Sequence, residues 1–267
     1  MGQQIDVAIH GPVVLATITP PRGFMNDDTA AELEALLDRV DGDPALRAVV
    51  FTGGLPDVFI RHFDVGVLEQ RGRQMAARGL RFDPARPVPE SPYLRCLRRI
   101  ETSDRAFIAA INGTAMGGGF ELALACDVRI AKTGDYMLGL PEINIGLLPG
   151  AGGTQRLPRL IGEGRALDLM LFGRTITPAR ALDLGIVTEC VADVGVRGLE
   201  LAAELAARPA RAFAHIKRLV RGAGAGRAFA DERTLFCDLM VDQTALDLMD
   251  GMNQGRYDIR GPGSGGG

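Results

Sequence analysis

Short β-branched runs at Ile5–Ile9 and Val13–Thr19, parted by Gly11-Pro12, are the pattern of two strands joined by a turn. Within Thr29–Val40 the apolar positions Leu33, Leu36, Leu37 and Val40 recur at helical spacing. Asp41-Gly42-Asp43-Pro44 ends that helix, and Leu46–Phe51 reads as a buried strand. From about Gly66 to Pro92 the periodicity fails at Arg71-Gly72-Arg73, Gly79, Pro84, Pro87, Pro89 and Pro92, so a long mobile segment with one helical turn is expected there. Phe107–Ile111 then reads as strand, Gly118–Ala125 as helix, Val128–Ala131 as strand, Gly152–Ile161 and Pro178–Leu184 as helices and Gly185–Val191 as a closing strand. Gly198–Ala207, Pro209–Arg221 and Ala228–Met252 read as three helices, followed by a flexible tail at 261–267. The pattern predicts an α/β core over residues 1–197 and a helical region over 198–260.

Composition narrows the class. The 267 residues are 46% hydrophobic and 24% charged, ordinary for a globular chain that can bury a core without metal or disulfide support. The net charge of −3, without like-charge blocks, speaks against a nucleic-acid partner. Lys132 and Lys217 are the only lysines, so an anionic ligand is left to arginines or backbone N–H groups. Cys96, Cys126, Cys190 and Cys237 form no CxxC pair, which fits a reducing, cytoplasmic compartment better than a zinc site. No apolar run approaches the length of a membrane span, and a soluble, unexported protein is expected.

Two stretches can carry chemistry. Asn112–Ala123 sets Gly117-Gly118-Gly119 between a strand and a helix, with Glu121 one turn further on. The first N–H groups of a helix lack internal partners and sit at the positive end of its dipole, so they can stabilise a carbonyl oxygen that gains negative charge. Leu140–Arg156 adds Glu142 and a second glycine-rich helix start at Gly150–Gly153. Neither stretch is a nucleotide-binding loop, because Gln155 stands where GxGxxG needs glycine and no Gly-Lys-Ser/Thr follows. None of Ser91, Ser103 and Ser264 lies in GxSxG. Taken singly these features have plain structural readings: glycines for close packing, and a first-turn Glu as a partner for the helix dipole. Their combination favours a site.

Met116–Asp127 followed by Pro141–Gly162 resembles the central signature of the crotonase, or enoyl-CoA hydratase/isomerase, family almost residue for residue, and a looser similarity extends from the first hairpin to about Met252. The resemblance implies an α/β crotonase spiral of ββα units with two near-perpendicular sheets and a C-terminal helical region that builds trimers, commonly paired into hexamers. It implies an oxyanion hole from the N–H groups of Phe63 and Gly118, and Glu121 and Glu142 as the two hydratase acids flanking a water. Ile60, Arg61, Asp64, Met116, Gly117 and Gly150 fall at substrate- or CoA-binding positions. The substrate is an enoyl-CoA thioester whose CoA is its handle, so no metal or other cofactor is called for. Isomerisation or carnitinyl-type dehydration by the same two acids, and a non-catalytic acyl-CoA-binding subunit, are the rival readings.

The chain departs from its relatives at three places. Where the family's first oxyanion loop has glycine, Phe59-Ile60-Arg61-His62-Phe63-Asp64 has His62, so either an altered turn or strain at His62 is expected. Arg61 is a candidate for a CoA phosphate. The 66–92 region is longer than in short-chain hydratases, and Gly251–Arg256 replaces a C-terminal CoA-binding motif. Asp64 is expected to fix its loop through backbone hydrogen bonds, and His10 and His215 to be structural.

Overall fold

The structure is a computed structural model and describes residues 3–221, 233–234 and 236–259. β1 (Ile5–His10) and β2 (Val13–Ile18) form the expected antiparallel hairpin, Ile5 facing Ile18 and His10 facing Val13. β4 (Ala48–Gly53), β7 (Ala106–Ile111), β9 (Val128–Lys132) and β12 (Glu189–Val191) extend it in parallel into a six-stranded sheet, ordered β1-β2-β4-β7-β9-β12. β7 is buried along its whole length and β4 over residues 48–51, which is why both read as unbroken apolar runs.

Both sheet faces are covered. Val49, Phe51 and Phe107 join the main core under α1 (Asp27–Gly42) and α3 (Pro92–Thr102), while Val50, Ile108 and Ala110 face α8 (Val194–Ala206). α1 opens on a capping box: Asn26 Oδ1 accepts from the Thr29 N–H, and Thr29 Oγ1 accepts from the Asn26 N–H. In α8, a Cβ on Gly198 would lie 3.1 Å from Val50 Cγ1 and 3.2 Å from the Ala110 side chain. The expected division after Arg197 therefore cuts through a helix that packs on the sheet, and the α/β core runs on to Ala206.

A second sheet of four strands runs β11 (Thr175–Ile176), β10 (Leu138–Gly139), β8 (Thr114–Met116) and β5 (Val58–Ile60), with β10, β8 and β5 parallel. A third, two-stranded piece pairs β3 (Phe24–Met25) with β6 (His62–Phe63). The remaining helices are α2 (Val65–Ala77), α4 (Gly117–Ala125), α5 (Gly153–Ile161), α6 (Glu163–Leu171), α7 (Pro178–Asp183), α9 (Ala210–Arg221) and α10 (Gln243–Asn253).

Three expectations need correction. The segment expected to be mobile holds a regular helix, α2, capped by Asp64 Oδ1 accepting from the Gly66 N–H at 2.8 Å. Pro92 is not an interruption but the first residue of α3, where its missing N–H costs nothing, behind the Ser91 cap. The single helix expected over Ala228–Met252 is broken at 241–242, between helical residues 236–240 and α10. Its part at 228–232 and the tail at 261–267 lie outside the described residues. Among the described residues no helix is long and apolar enough to cross a membrane.

Candidate active site

The parallel strands β5, β8 and β10 deliver three chain segments to one end of their sheet, the carboxyl end at which open α/β sheets bind ligands. Ala115 pairs with Ile60 and Met116 with Gly139, so the residues that follow on each strand stay adjacent. Phe63, Gly117-Gly118 and Glu142 thereby converge from three separate stretches of sequence. They line one cavity of about 470 Å³, together with Glu121, His62, Tyr93 and Gly150.

The glycines of the triplet meet different constraints. Gly117 has φ +48°, which favours glycine, and a Cβ there would lie 3.1 Å from Glu142 Oε1 and 3.3 Å from the His62 Cβ. Gly119 packs so close to β5 that a Cβ would come within 2.4 Å of the Ile60 carbonyl oxygen. Gly118 faces the cavity among Met25, Phe63 and Tyr93, and its carbonyl accepts from the Tyr93 hydroxyl at 2.5 Å. That bond fixes the peptide next to the proposed oxyanion donor, and burial holds the Tyr93 phenol in its neutral, donating form.

Glu121 is 2% exposed, and its Oε1 accepts two backbone N–H bonds, from Ala151 and Gly153, each 2.8 Å. Gly152 between them has φ 99°, the left-handed geometry that lets the loop wrap the carboxyl. Burial raises the Glu121 pKa, opposed by these two N–H groups and by the charge of Arg156. Arg156, also buried, donates to both Glu101 oxygens, at 2.9 and 2.7 Å, and to the Ala151 carbonyl, so the Ala151 residue is held at both its N–H and its C=O. Glu142 opens a 3-10 turn, Glu142–Ile145, whose carbonyl end is closed by the N–H of Leu147 on Glu142 O at 3.0 Å.

His62 takes neither the altered turn nor the strain expected of it. It lies in β6 beside Phe24, and the described non-glycine residues with positive φ are Arg22 and Asp57. Its Nδ1 is 2.8 Å from the Phe63 carbonyl; since a carbonyl only accepts, Nδ1 carries the proton. Burial lowers its pKa and keeps the ring neutral. The ring packs on Phe24, 4.6 Å between centroids.

Of the ten expected site residues, Glu121, Glu142, Phe63, Gly117, Gly118 and Gly150 line the cavity. Ile60, Arg61, Asp64 and Met116 are not among the described residues that do. Ile60 is buried beneath Gly119, Met116 packs in the core behind the site, Asp64 accepts a backbone hydrogen bond but as the cap of α2, a helix the sequence reading did not include, and Arg61 is exposed with its carbonyl accepting from the Met116 N–H at 3.0 Å. Sequence reasoning missed Tyr93, whose helix it did not find, and the wall contributed by Val65, Leu68 and Phe236. The Ser91-Pro92 pair was a readable start signal for the first of these.

Two buried acids and the start of α4 thus line one cavity at the end of a parallel sheet, and comparison with known proteins gives the class. A sequence model of the enoyl-CoA hydratase/isomerase family matches residues 11–243. A Bacillus subtilis protein named "Probable enoyl-CoA hydratase" is 34% identical over 231 residues, covering 81% of each chain. The fatty acid oxidation complex subunit alpha of Shewanella sp. (strain MR-4) is 34% identical over 254 residues, which is 92% of this chain and 33% of the relative. The chain thus spans about a third of the length of such alpha subunits. Among solved structures, Pseudomonas aeruginosa DspI superposes with a TM-score of 0.72 at 34% identity, covering 94% of this chain and 93% of that one. Human mitochondrial delta3-delta2-enoyl-CoA isomerase superposes with a TM-score of 0.82 at 25% identity, covering 95% and 98%. The chain belongs to the enoyl-CoA hydratase/isomerase family, and its fold is the crotonase fold.

The buried state of Glu121 has a thermodynamic signature. An unfolded glutamate titrates at about 4.3, and the folded carboxyl titrates above that. Over the interval between the two values the folded state binds more protons, so by linkage its stability falls as pH rises through that interval. E121Q removes this contribution, and calorimetric Tm values of variant and parent, compared from about pH 4 to pH 7, should shift in the variant's favour as pH increases. A Tm difference independent of pH would show that Glu121 titrates at its ordinary value.

Proposed function

We propose that the protein is an enoyl-CoA hydratase, adding water across the C2–C3 double bond of an enoyl-CoA thioester or running the reverse dehydration. The observation that carries this is that Glu121 and Glu142, both buried, line one cavity with the start of α4. The hydratase name of the Bacillus subtilis relative supports it.

In this reading the thioester oxygen sits between the N–H groups of Gly118 and Phe63. Polarisation makes C3 electrophilic, and the enolate-like charge on oxygen is stabilised by donors already in place. Loss of one such donor costs ~3–4 kcal/mol. Glu121, fixed through Oε1, orients and activates the water, taking its proton as the oxygen bonds to C3. Glu142, lying against Gly117, delivers a proton to C2, and proton exchange between the two carboxyls and solvent restores the starting state. One carboxyl neutral and one ionised suits this division, and burial, which raises the Glu121 pKa, makes its carboxylate a stronger base for the water proton. Arg61, exposed at the end of β5, is assigned to a CoA phosphate. CoA enters as part of the substrate, and no metal or redox group is assigned.

We further assign the protein to the cytoplasm as a homotrimer, alone or paired into a hexamer. Exposed apolar side chains on α6 and α9, among them Leu171 (60% exposed), Leu219 (74%) and Val220 (76%), support burial in an assembly. A single-chain mass by light scattering would contradict it.

E121Q and E142Q keep the shape of each side chain and remove its acid–base function. Each should lower kcat for hydration of crotonyl-CoA or a longer enoyl-CoA by roughly 10²–10⁴ with a smaller change in KM. Turnover close to the parent's in both variants would remove the mechanism, and a shifted double bond without hydration as the product would favour isomerisation.

A further inference from the structure

The loop that holds Glu121 is itself held. Three consecutive peptides divide the work: the N–H groups of Ala151 and Gly153 donate to Glu121 Oε1, each at 2.8 Å, and the Ala151 carbonyl on the peptide between them accepts from Arg156 Nη1. A turn of that middle peptide would displace both donors at once. The other two guanidinium nitrogens close a fork on Glu101, Nε on Oε1 at 2.9 Å and Nη2 on Oε2 at 2.7 Å. The pair is nearly sealed from solvent, its side chains 3% and 11% exposed. Glu101 lies in the last turn of α3, about two turns beyond Tyr93. One helix therefore secures both glycine-rich stretches, Gly118 through the Tyr93 hydroxyl and Ala151 through Glu101 and Arg156. Behind Glu101, Arg221 on α9 donates from Nη1 to Oε1 at 3.1 Å and from Nη2 to the Cys126 carbonyl at 2.7 Å. Arg221 and Lys217 also meet Asp127, at 3.2 and 2.8 Å, so two basic side chains fasten α9 to Glu101 and Asp127.

Stability alone does not call for this arrangement, since replacing a buried ion pair by well-packed apolar side chains is often neutral or stabilising. What the pair adds is direction: a planar guanidinium aims its N–H groups at a carboxylate and a carbonyl together, which a lysine ammonium cannot match. We propose that Arg156 is a positioning residue for the base of the reaction. Held by Glu101, and through Glu101 by Arg221 on α9, it fixes the Ala151 carbonyl so that the Ala151 and Gly153 N–H groups aim the Glu121 carboxylate at the water. The role rests on the hydratase reading, in which Glu121 takes the water proton. The charged and titratable groups that face Glu121 are Arg156 from α5, Tyr93 from α3 and, across the cavity, Glu142 and His62. Of these four only Arg156 is a cation, and its charge joins the two N–H bonds in opposing the rise that burial imposes on the Glu121 pKa.

The test measures kcat and KM for enoyl-CoA hydration across pH in Arg156→Lys, Arg156→Met, Arg221→Met and Arg221→Lys. Alongside, the Glu121 carboxyl is titrated by carbon NMR, its resonance identified by its loss in E121Q. Arg156→Lys should lower kcat by roughly 10- to 100-fold with little change in KM, because the base is displaced while substrate contacts stay. The fall of kcat at low pH should move to higher pH in both Arg156 variants, and further in Arg156→Met, since looser donors and a lost charge leave Glu121 protonated over a wider range. Arg221→Met should lower kcat by a smaller factor, and Arg221→Lys should recover part of it. A purely structural pair would lower Tm and leave the kcat and low-pH limb of the folded enzyme as in the parent. That result in Arg156→Lys, or a raised KM at unchanged kcat, would overturn the proposal. If Arg156→Met does not fold, Arg156→Lys and Arg221→Met still decide. Absence of hydration by the parent would remove the hydratase reading instead, and the titration then decides the positioning role by itself: an upward shift in Arg156→Lys upholds it, and an unmoved Glu121 overturns it.

Discussion

The site depends on one buried contact: a glutamate oxygen on α4 receiving two main-chain N–H bonds from the loop that starts α5. A carboxyl group buried in a cavity wall needs such partners, since an uncompensated one is costly to remove from water. In meeting that need, Glu121 draws the second glycine-rich stretch against the first and sets Gly150 in the cavity wall. The Arg156–Glu101 pair secures the same loop from behind through the Ala151 carbonyl, and Glu101 in turn accepts from Arg221 on α9 at 3.1 Å. Buried ion pairs of this kind contribute little net stability, and their weight here is positional.

The other half of the site comes from sheet register. Because β5, β8 and β10 run in parallel, each ends where the next chain segment can turn into the cavity, and one register places Phe63, Gly118 and Glu142 together. The backbone of the two proposed donor residues is held by side chains: the Tyr93 hydroxyl on the Gly118 carbonyl, and the neutral His62 ring on the Phe63 carbonyl. A histidine in the family's glycine position is accommodated because β6 keeps it extended beside Phe24, where its ring gains a packing partner.

Much of this was legible in the sequence because it was written locally. The hairpin, α1, the core strands and the glycine triplet each carry their signal within a dozen residues, and the paired acids stood out through the resemblance of Met116–Asp127 and Pro141–Gly162 to a known family. What was missed is written in tertiary contacts. Gly72 looked like a helix breaker, yet it lies inside α2, where a Cβ would come within 2.1 Å of the Met240 carbonyl oxygen, so the glycine is there for a close crossing. Pro92 looked like an interruption and is a helix start. Those two errors removed α2 and α3 from the reading, and with them Tyr93, Val65 and Leu68. The partition at Arg197 failed for a similar reason, since only the packing of Gly198 on β4 and β7 reveals that α8 belongs to the sheet.

The roles proposed for Glu121, Glu142, Gly118 and Phe63 all depend on where a thioester lies in the cavity. A crystal structure with a non-hydrating saturated acyl-CoA measures this directly. The thioester oxygen should be within hydrogen-bonding distance of the Gly118 and Phe63 N–H groups, with C2 and C3 between the carboxyl groups of Glu121 and Glu142. A thioester bound with its carbonyl turned away from the start of α4, or with only one of the two carboxyls reaching the acyl carbons, would contradict it.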